Sequence, residues 1–144
     1  MKRVLGLDVG DRRIGVAISD ELGIAARGLF TLERTNTKSD TQKILDVVKE
    51  NECSAVVVGL PLNLSGQDSV QTEKVRAFAQ KLENKFASNA MGGVPVVLYD
   101  ERFTTRIAER ELEAAGASRR QRKEAVDRQA AVLILEDWMR ARAV

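Results

Sequence analysis

The sequence predicts a single α/β domain: a five-stranded mixed sheet with helices packed on its faces, in the order β-β-β-α-β-α-β-α-α. Three observations predict it. The first third holds three strand-like runs joined by short turns, which favours an antiparallel meander. From Ser39 onward, helical-period segments alternate with short apolar strands, which adds parallel strands through helical crossovers. Finally, 144 residues, 44% of them hydrophobic, are enough for one core and too few for two domains. A chain this long buries about two-thirds of its unfolded surface.

The elements follow in order. Val4 to Val9 is a nearly unbroken apolar run with the length of a buried strand. Gly10-Asp11-Arg12-Arg13 is a turn. Ile14 to Ser19 is the second strand, and about Ala25 to Leu32 the third. Ser39 with Gln42 has the spacing of a capping box, and Ile44, Leu45, Val47 and Val48 follow at helical spacing. Ala55 to Gly59 is a short buried strand. From about Asp68, the residues Val75, Phe78, Ala79, Leu82 and Phe86 mark one helical stripe. Asn84 to Gly93 reads as a loop, and Val94 to Tyr99 as the fifth strand. A helix is expected from about Thr105 to Ala115, ending at Gly116. Ser118 with Gln121 opens a last helical region that reaches about Arg142, with an expected break near Lys123.

Composition excludes several chemistries. There is no His, which removes Ser-His-Asp triads, Cys-His dyads and His metal sites. The single Cys, Cys53, permits neither an internal disulfide nor a thiolate zinc site, and fits a reducing compartment. It reads as a small buried hydrophobe, and Trp138 as a core anchor. No apolar run approaches the length of a membrane span, and the N-terminus lacks a signal-type apolar region, so a cytoplasmic location is expected. The formal net charge of +2 permits an anionic partner without requiring one. The remaining tools are carboxylates, hydroxyls, Lys/Arg and hard metal ions.

Three carboxylates stand in unusual places. Asp8 lies inside an apolar strand, where a carboxylate must be paired, protonated or metal-bound; it also fits as a strand-end cap over the Gly10 turn. Asp100 and Glu101 follow the fifth strand, at the edge where ligands of α/β sheets gather; they equally fit a solvated loop pair. Asp127 shares a helical face with Ala131, Ile134 and Trp138; the alternative is a helix starting nearby, with the carboxylate favouring its dipole. If the three converge, one must protonate unless a cation sits among them. Mg²⁺ or Mn²⁺ suits such all-oxygen ligation. Two such ions about 4 Å apart serve in-line phosphodiester attack.

The same residues carry a family resemblance. Gly6-Leu7-Asp8-Val9-Gly10 followed by Arg12-Arg13-Ile14-Gly15-Val16-Ala17 resembles the opening strand-turn-strand of the YqgF (RuvX) family of the RNase H-like superfamily. Val57 to Asn63 resembles its central strand and loop. Asp100-Glu101-Arg102-Phe103-Thr104-Thr105 resembles its acidic signature, and Val126-Asp127 with Gln129-Ala130-Ala131 and Leu133-Ile134-Leu135 its last helix. The match runs in order over nearly the whole chain. The resemblance implies an RNase H-like fold, a single nuclease domain over 1–144, and Asp8, Glu101 and Asp127 as metal-binding catalytic residues. It selects Glu101 over Asp100, which the residues alone do not. It also implies trimming of the 5′ end of precursor 16S rRNA. Arg128 departs from the small residue that commonly follows the last Asp.

A phosphate track is expected beside these carboxylates. Ser118 to Arg128 holds Arg119, Arg120, Arg122, Lys123 and Arg128 against Glu124 and Asp127, a net +3 that exceeds the charge of the whole chain. Arg12 and Arg13 follow Asp8, and Arg102 and Arg106 follow Glu101, so basic charge is expected near the metals. Arg110, Arg140 and Arg142 read as ordinary surface residues. Asn63, Ser65, Gly66 and Gln67 form a polar loop, either a substrate contact through Asn63 or a plain turn. With aromatics at 4%, base stacking should be minor, so recognition is expected through shape and charge. Three rivals remain. A phosphate-binding hairpin of the actin-like ATPase kind needs two such domains. A non-catalytic nucleic-acid-binding or transcription-associated factor gains nothing from acidic charge facing phosphate. A Holliday-junction resolvase should be a dimer; no clear dimer face is visible, and a monomer or weak homodimer is expected.

Overall fold

A computed structural model describes residues 2–101 and 119–142, with side chains for 2–101 and 128–142. The elements are β1 (Val4–Val9), β2 (Arg13–Ser19), β3 (Ala26–Glu33), α1 (Thr37–Glu50), β4 (Ala55–Leu60), α2 (Val70–Ser88), β5 (Val96–Asp100) and α3 (Arg119–Arg142). The strands form one sheet in the order β3-β2-β1-β4-β5. β1-β2 and β2-β3 pair antiparallel, whereas β1-β4 and β4-β5 pair parallel. The expected meander with two parallel additions is therefore present. The expected helix over 105–115 lies outside the described residues.

Local chemistry sets the element ends. The α1 helix starts earlier than the Ser39–Gln42 pair suggests. Its N-cap is Asn36, whose side chain accepts from the Ser39 N–H at 2.8 Å, so Ser39 supplies a backbone donor and not the cap. The α2 helix opens on a capping box between Ser69 and Thr72. It continues to Ser88, which makes Asn84 to Ser88 helical where a loop is expected; burial of Leu82 and Phe86 carries the helix through that polar stretch. The α3 helix is continuous from Arg119 to Arg142, without the expected break near Lys123. Its sequence contains neither Gly nor Pro and is rich in strong helix formers.

The two sheet faces differ in depth. On one face, Ile44, Leu45 and Val48 of α1 and Val75, Phe78, Leu82 and Phe86 of α2 pack on Leu5, Leu7, Val16, Val56 and Val58. Cys53 joins this core as a buried thiol. Among the described residues the other face is covered by α3, through Ala131, Val132, Ile134 and Leu135. Small residues let that helix approach closely. Gly28, Ala17 and Gly6 lie in register across β3, β2 and β1. A Cβ on Gly6 would meet Leu135 Cβ at 3.0 Å and Ala131 O at 3.1 Å. Trp138 packs at the rim of this second cluster, only half-buried.

Candidate active site

Alternation along β1 fixes the position of Asp8. Gly6 faces α3, so Asp8, two residues on, faces the same side at the carboxyl end of the strand. The fifth strand ends at the same edge. There the Glu101 N–H donates to Leu60 O at 3.2 Å, so Glu101 leaves β5 alongside the end of β4. Two strands whose ends carry these acids are separated by β4. On β4 itself, Gly59 leaves room beside Glu101. A Cβ there would lie 2.8 Å from Glu101 Oε2 and 2.4 Å from Ile134 Cδ1. The missing side chain is the space into which Glu101 leans.

Glu101 is only 8% exposed, and among the described residues its Oε2 has no hydrogen-bond partner. Burial pushes its carboxyl up to about 9, and the negative charges of Asp8 and then Asp100 push in the same direction. A buried carboxylate close to other negative charges holds a proton or shares a cation. The all-oxygen donors and the unpartnered Oε2 fit a hard divalent ion. Among the described residues no group of three acidic or thiol side chains comes together, and the side chain of the expected third ligand, Asp127, lies outside them. Its backbone lies in α3, one turn before Ala131, whose carbonyl sits over Gly6. Asp100 is exposed.

The basic residues divide. Arg12 is exposed in the β1–β2 turn, whereas Arg13 is half-buried and pairs with Glu33 at 3.2 Å. The stem of Arg128 lies over Gly28, with Cβ 3.5 Å from a Cβ built there, so its long side chain covers the edge strand. Arg119, Arg120, Arg122 and Lys123 lie on the first turns of α3, with side chains outside the described residues. Arg102 and Arg106 are outside them altogether. Asn63 shapes its own loop: its Oδ1 accepts from Ser65 N at 3.1 Å, Ser65 Oγ at 2.7 Å and Gln67 N at 2.8 Å. Gly66, at φ 83°, supplies the left-handed residue that the loop needs. Sequence reasoning missed Gly59 as the seat of Glu101; a lone Gly closing the run Val56-Val57-Val58 was the available signal.

The fold and the acidic edge define an α/β protein of the RNase H-like class. Solved structures support that class. RuvC of Thermus thermophilus, solved with a Holliday junction substrate, superposes with a TM-score of 0.60 at 21% identity, covering 98% of this chain and 96% of that one. The yeast mitochondrial Holliday junction resolvase Ydc2 superposes with a TM-score of 0.61 at 13% identity, covering 99% and 79%. The chain belongs to the RuvX family, whose model, described as "RuvX: Holliday junction resolvase", matches residues 2–141. A relative from Koribacter versatilis is 49% identical over 99% of this chain and 89% of its own. One from Thermoanaerobacter pseudethanolicus is 44% identical over 95% of each. Both carry the name "Putative pre-16S rRNA nuclease".

Proposed function

We propose that this chain is a divalent-metal-dependent endonuclease that hydrolyses phosphodiester bonds, with the 5′ end of precursor 16S rRNA as its substrate. Asp8, Glu101 and Asp127 are the carboxylates that hold Mg²⁺ or Mn²⁺. The observation that carries this reading is Glu101 Oε2: buried, unpartnered among the described residues, and repelled by Asp8 across the gap at Gly59. When bound, a pair of such ions activates water and neutralises the leaving oxygen. The protein's own residues do the rest. Gly59 and Ile134 hold Glu101 against the sheet edge, and the rigid end of β1 holds Asp8. Exposed Arg12 offers a phosphate contact beside them, and the basic start of α3 extends the track. The choice of precursor rRNA rests on the names of the relatives. The family description and the fold of RuvC support the second reading, a four-way DNA junction.

One experiment separates these. Purified protein is given precursor 16S rRNA and a synthetic four-way junction side by side, with Mg²⁺ or Mn²⁺, next to Asp8→Asn. The expected result is rRNA cleavage by the wild type, lost in Asp8→Asn with nucleic-acid binding retained. Equal or better junction cutting by a dimer selects the resolvase. No cleavage of either substrate leaves a binding factor.

A further inference from the structure

The turn that follows Asp8 is held by a charge pair in which Asp40 is buried and Arg34 is partly exposed. Arg34, just beyond β3, donates from Nε to Asp40 Oδ2 at 3.1 Å and from Nη1 to the carbonyl of Gly10 at 3.1 Å. Its own N–H donates to Arg12 O at 2.9 Å. The guanidinium lies over the Phe78 ring, 5.1 Å from the centroid. Asp40 is fully buried, and its other oxygen accepts from Thr35 N at 3.2 Å and Thr35 Oγ1 at 3.4 Å. The turn is also tied from α2, where Gln71 Nε2 donates to Val9 O at 3.3 Å and Lys74 pairs with exposed Asp11 at 3.3 Å. Gly10 N–H closes the turn on Arg13 O at 2.8 Å.

An ion pair with one partner fully buried is a poor device for stability, because desolvation offsets its attraction. It is a good device for geometry. Here a planar fork spans two acceptors that belong to different elements: the first turn of α1 and the turn after β1. We propose that Arg34, oriented by Asp40, is a positioning residue for the proposed metal site: it fixes the Gly10–Arg13 turn, and through it the Asp8 carboxylate and the Arg12 phosphate contact. This rests on the metal-nuclease reading given above.

The test compares wild type, Arg34→Lys and the double variant Arg34→Met/Asp40→Leu, which removes both charges together. Removing both charges together leaves neither one stranded, so the double variant should fold. Melting temperature, amide exchange at Gly10 and Arg34, Mn²⁺ affinity by calorimetry, and kcat and KM are measured for each. The double variant should melt near wild type, exchange those amides faster, and lose about tenfold or more in Mn²⁺ affinity and kcat, with KM for nucleic acid little changed. Arg34→Lys keeps the charge but cannot bridge both acceptors, so it should fall between. Three results overturn the proposal: wild-type Mn²⁺ affinity and exchange in the double variant; losses that simply follow a fallen melting temperature; or full function in Arg34→Lys. If the wild type binds Mn²⁺ but cuts nothing, the nuclease reading fails. The affinity and exchange comparison then still decides the clamp.

Discussion

At Glu101, a carboxylate is buried near a second one, and among the described residues its Oε2 has no hydrogen-bond partner. Its ordinary value is near 4.5, and folding raises it to about 9. The folded chain therefore keeps a proton that the unfolded chain sheds. Without metal, the stability from this group is fully present below about 4.5 and is lost as pH rises through about 9. Metal-free melting temperature should fall across that window. Mn²⁺ must displace the proton, so the melting-temperature gain on adding Mn²⁺ should grow with pH over the same range. Thermal scans from pH 5 to about 9, with Mn²⁺ and with chelator, check both; a metal gain independent of pH would contradict the assignment. Glu101→Gln removes the charge without changing the shape. It should lose about 100-fold or more in cleavage and flatten the metal-free pH dependence, while melting no lower than wild type at alkaline pH. The odd setting of Asp8 in an apolar strand is legible from the sequence alone. The choice of Glu101 over Asp100 is not: adjacent acids look alike until the end of β4 turns one inward and leaves the other exposed.

The α3 helix packs on Val4, Ala17, Ala55 and Val57, and comes closest to the sheet where side chains are missing. Gly59 is the tightest of these places, seating both Ile134 and Glu101. Gly59→Ala should destabilise by about 1–3 kcal/mol through overpacking and should also displace Glu101. Adding Ile134→Val removes the methyl that the new Cβ meets at 2.4 Å and should recover part of the stability. It leaves the 2.8 Å conflict with Oε2, so activity should stay low. Melting curves and cleavage rates on the four corners of this cycle separate packing from function; joint recovery of both would show that Glu101 is not held through Gly59. Elements with strong local signals are legible in the sequence. The short apolar runs give β1, β2 and β4, and the stripe through Val75, Phe78, Leu82 and Phe86 gives α2. Boundaries set by competition are less legible. Asn36 takes the α1 cap from Ser39, and buried Phe86 draws a polar stretch into α2. The Arg34–Asp40 pair is invisible in the sequence, because it joins the end of β3, the start of α1 and a turn more than twenty residues upstream.

Across the whole molecule, charge is arranged against the modest total. The chain carries only +2, yet in sequence the proposed acids Asp8, Glu101 and Asp127 are each followed closely by Arg. The acids repel a phosphate backbone when no cation is bound. Grip must then come from basic residues set back from the metals, and the start of α3 holds four of them, Arg119, Arg120, Arg122 and Lys123, within five positions. In sequence, Lys123 lies four positions after Arg119 and three after Arg120, the spacings of neighbours on a helix. Neutralising all three as Arg119→Gln, Arg120→Gln and Lys123→Gln should weaken nucleic-acid binding. The plot of log affinity against log salt should lose up to about 3 units of slope if each contacts a duplex phosphate, because each contact releases a condensed counterion. Mn²⁺ affinity should not change, since the proposed metal-binding carboxylates remain. Fluorescence anisotropy over a salt series, next to Mn²⁺ calorimetry, measures the two quantities separately. A slope equal to wild type would place the phosphate track on another surface. A shallower slope with intact metal binding would assign grip to the helix start and chemistry to the sheet edge.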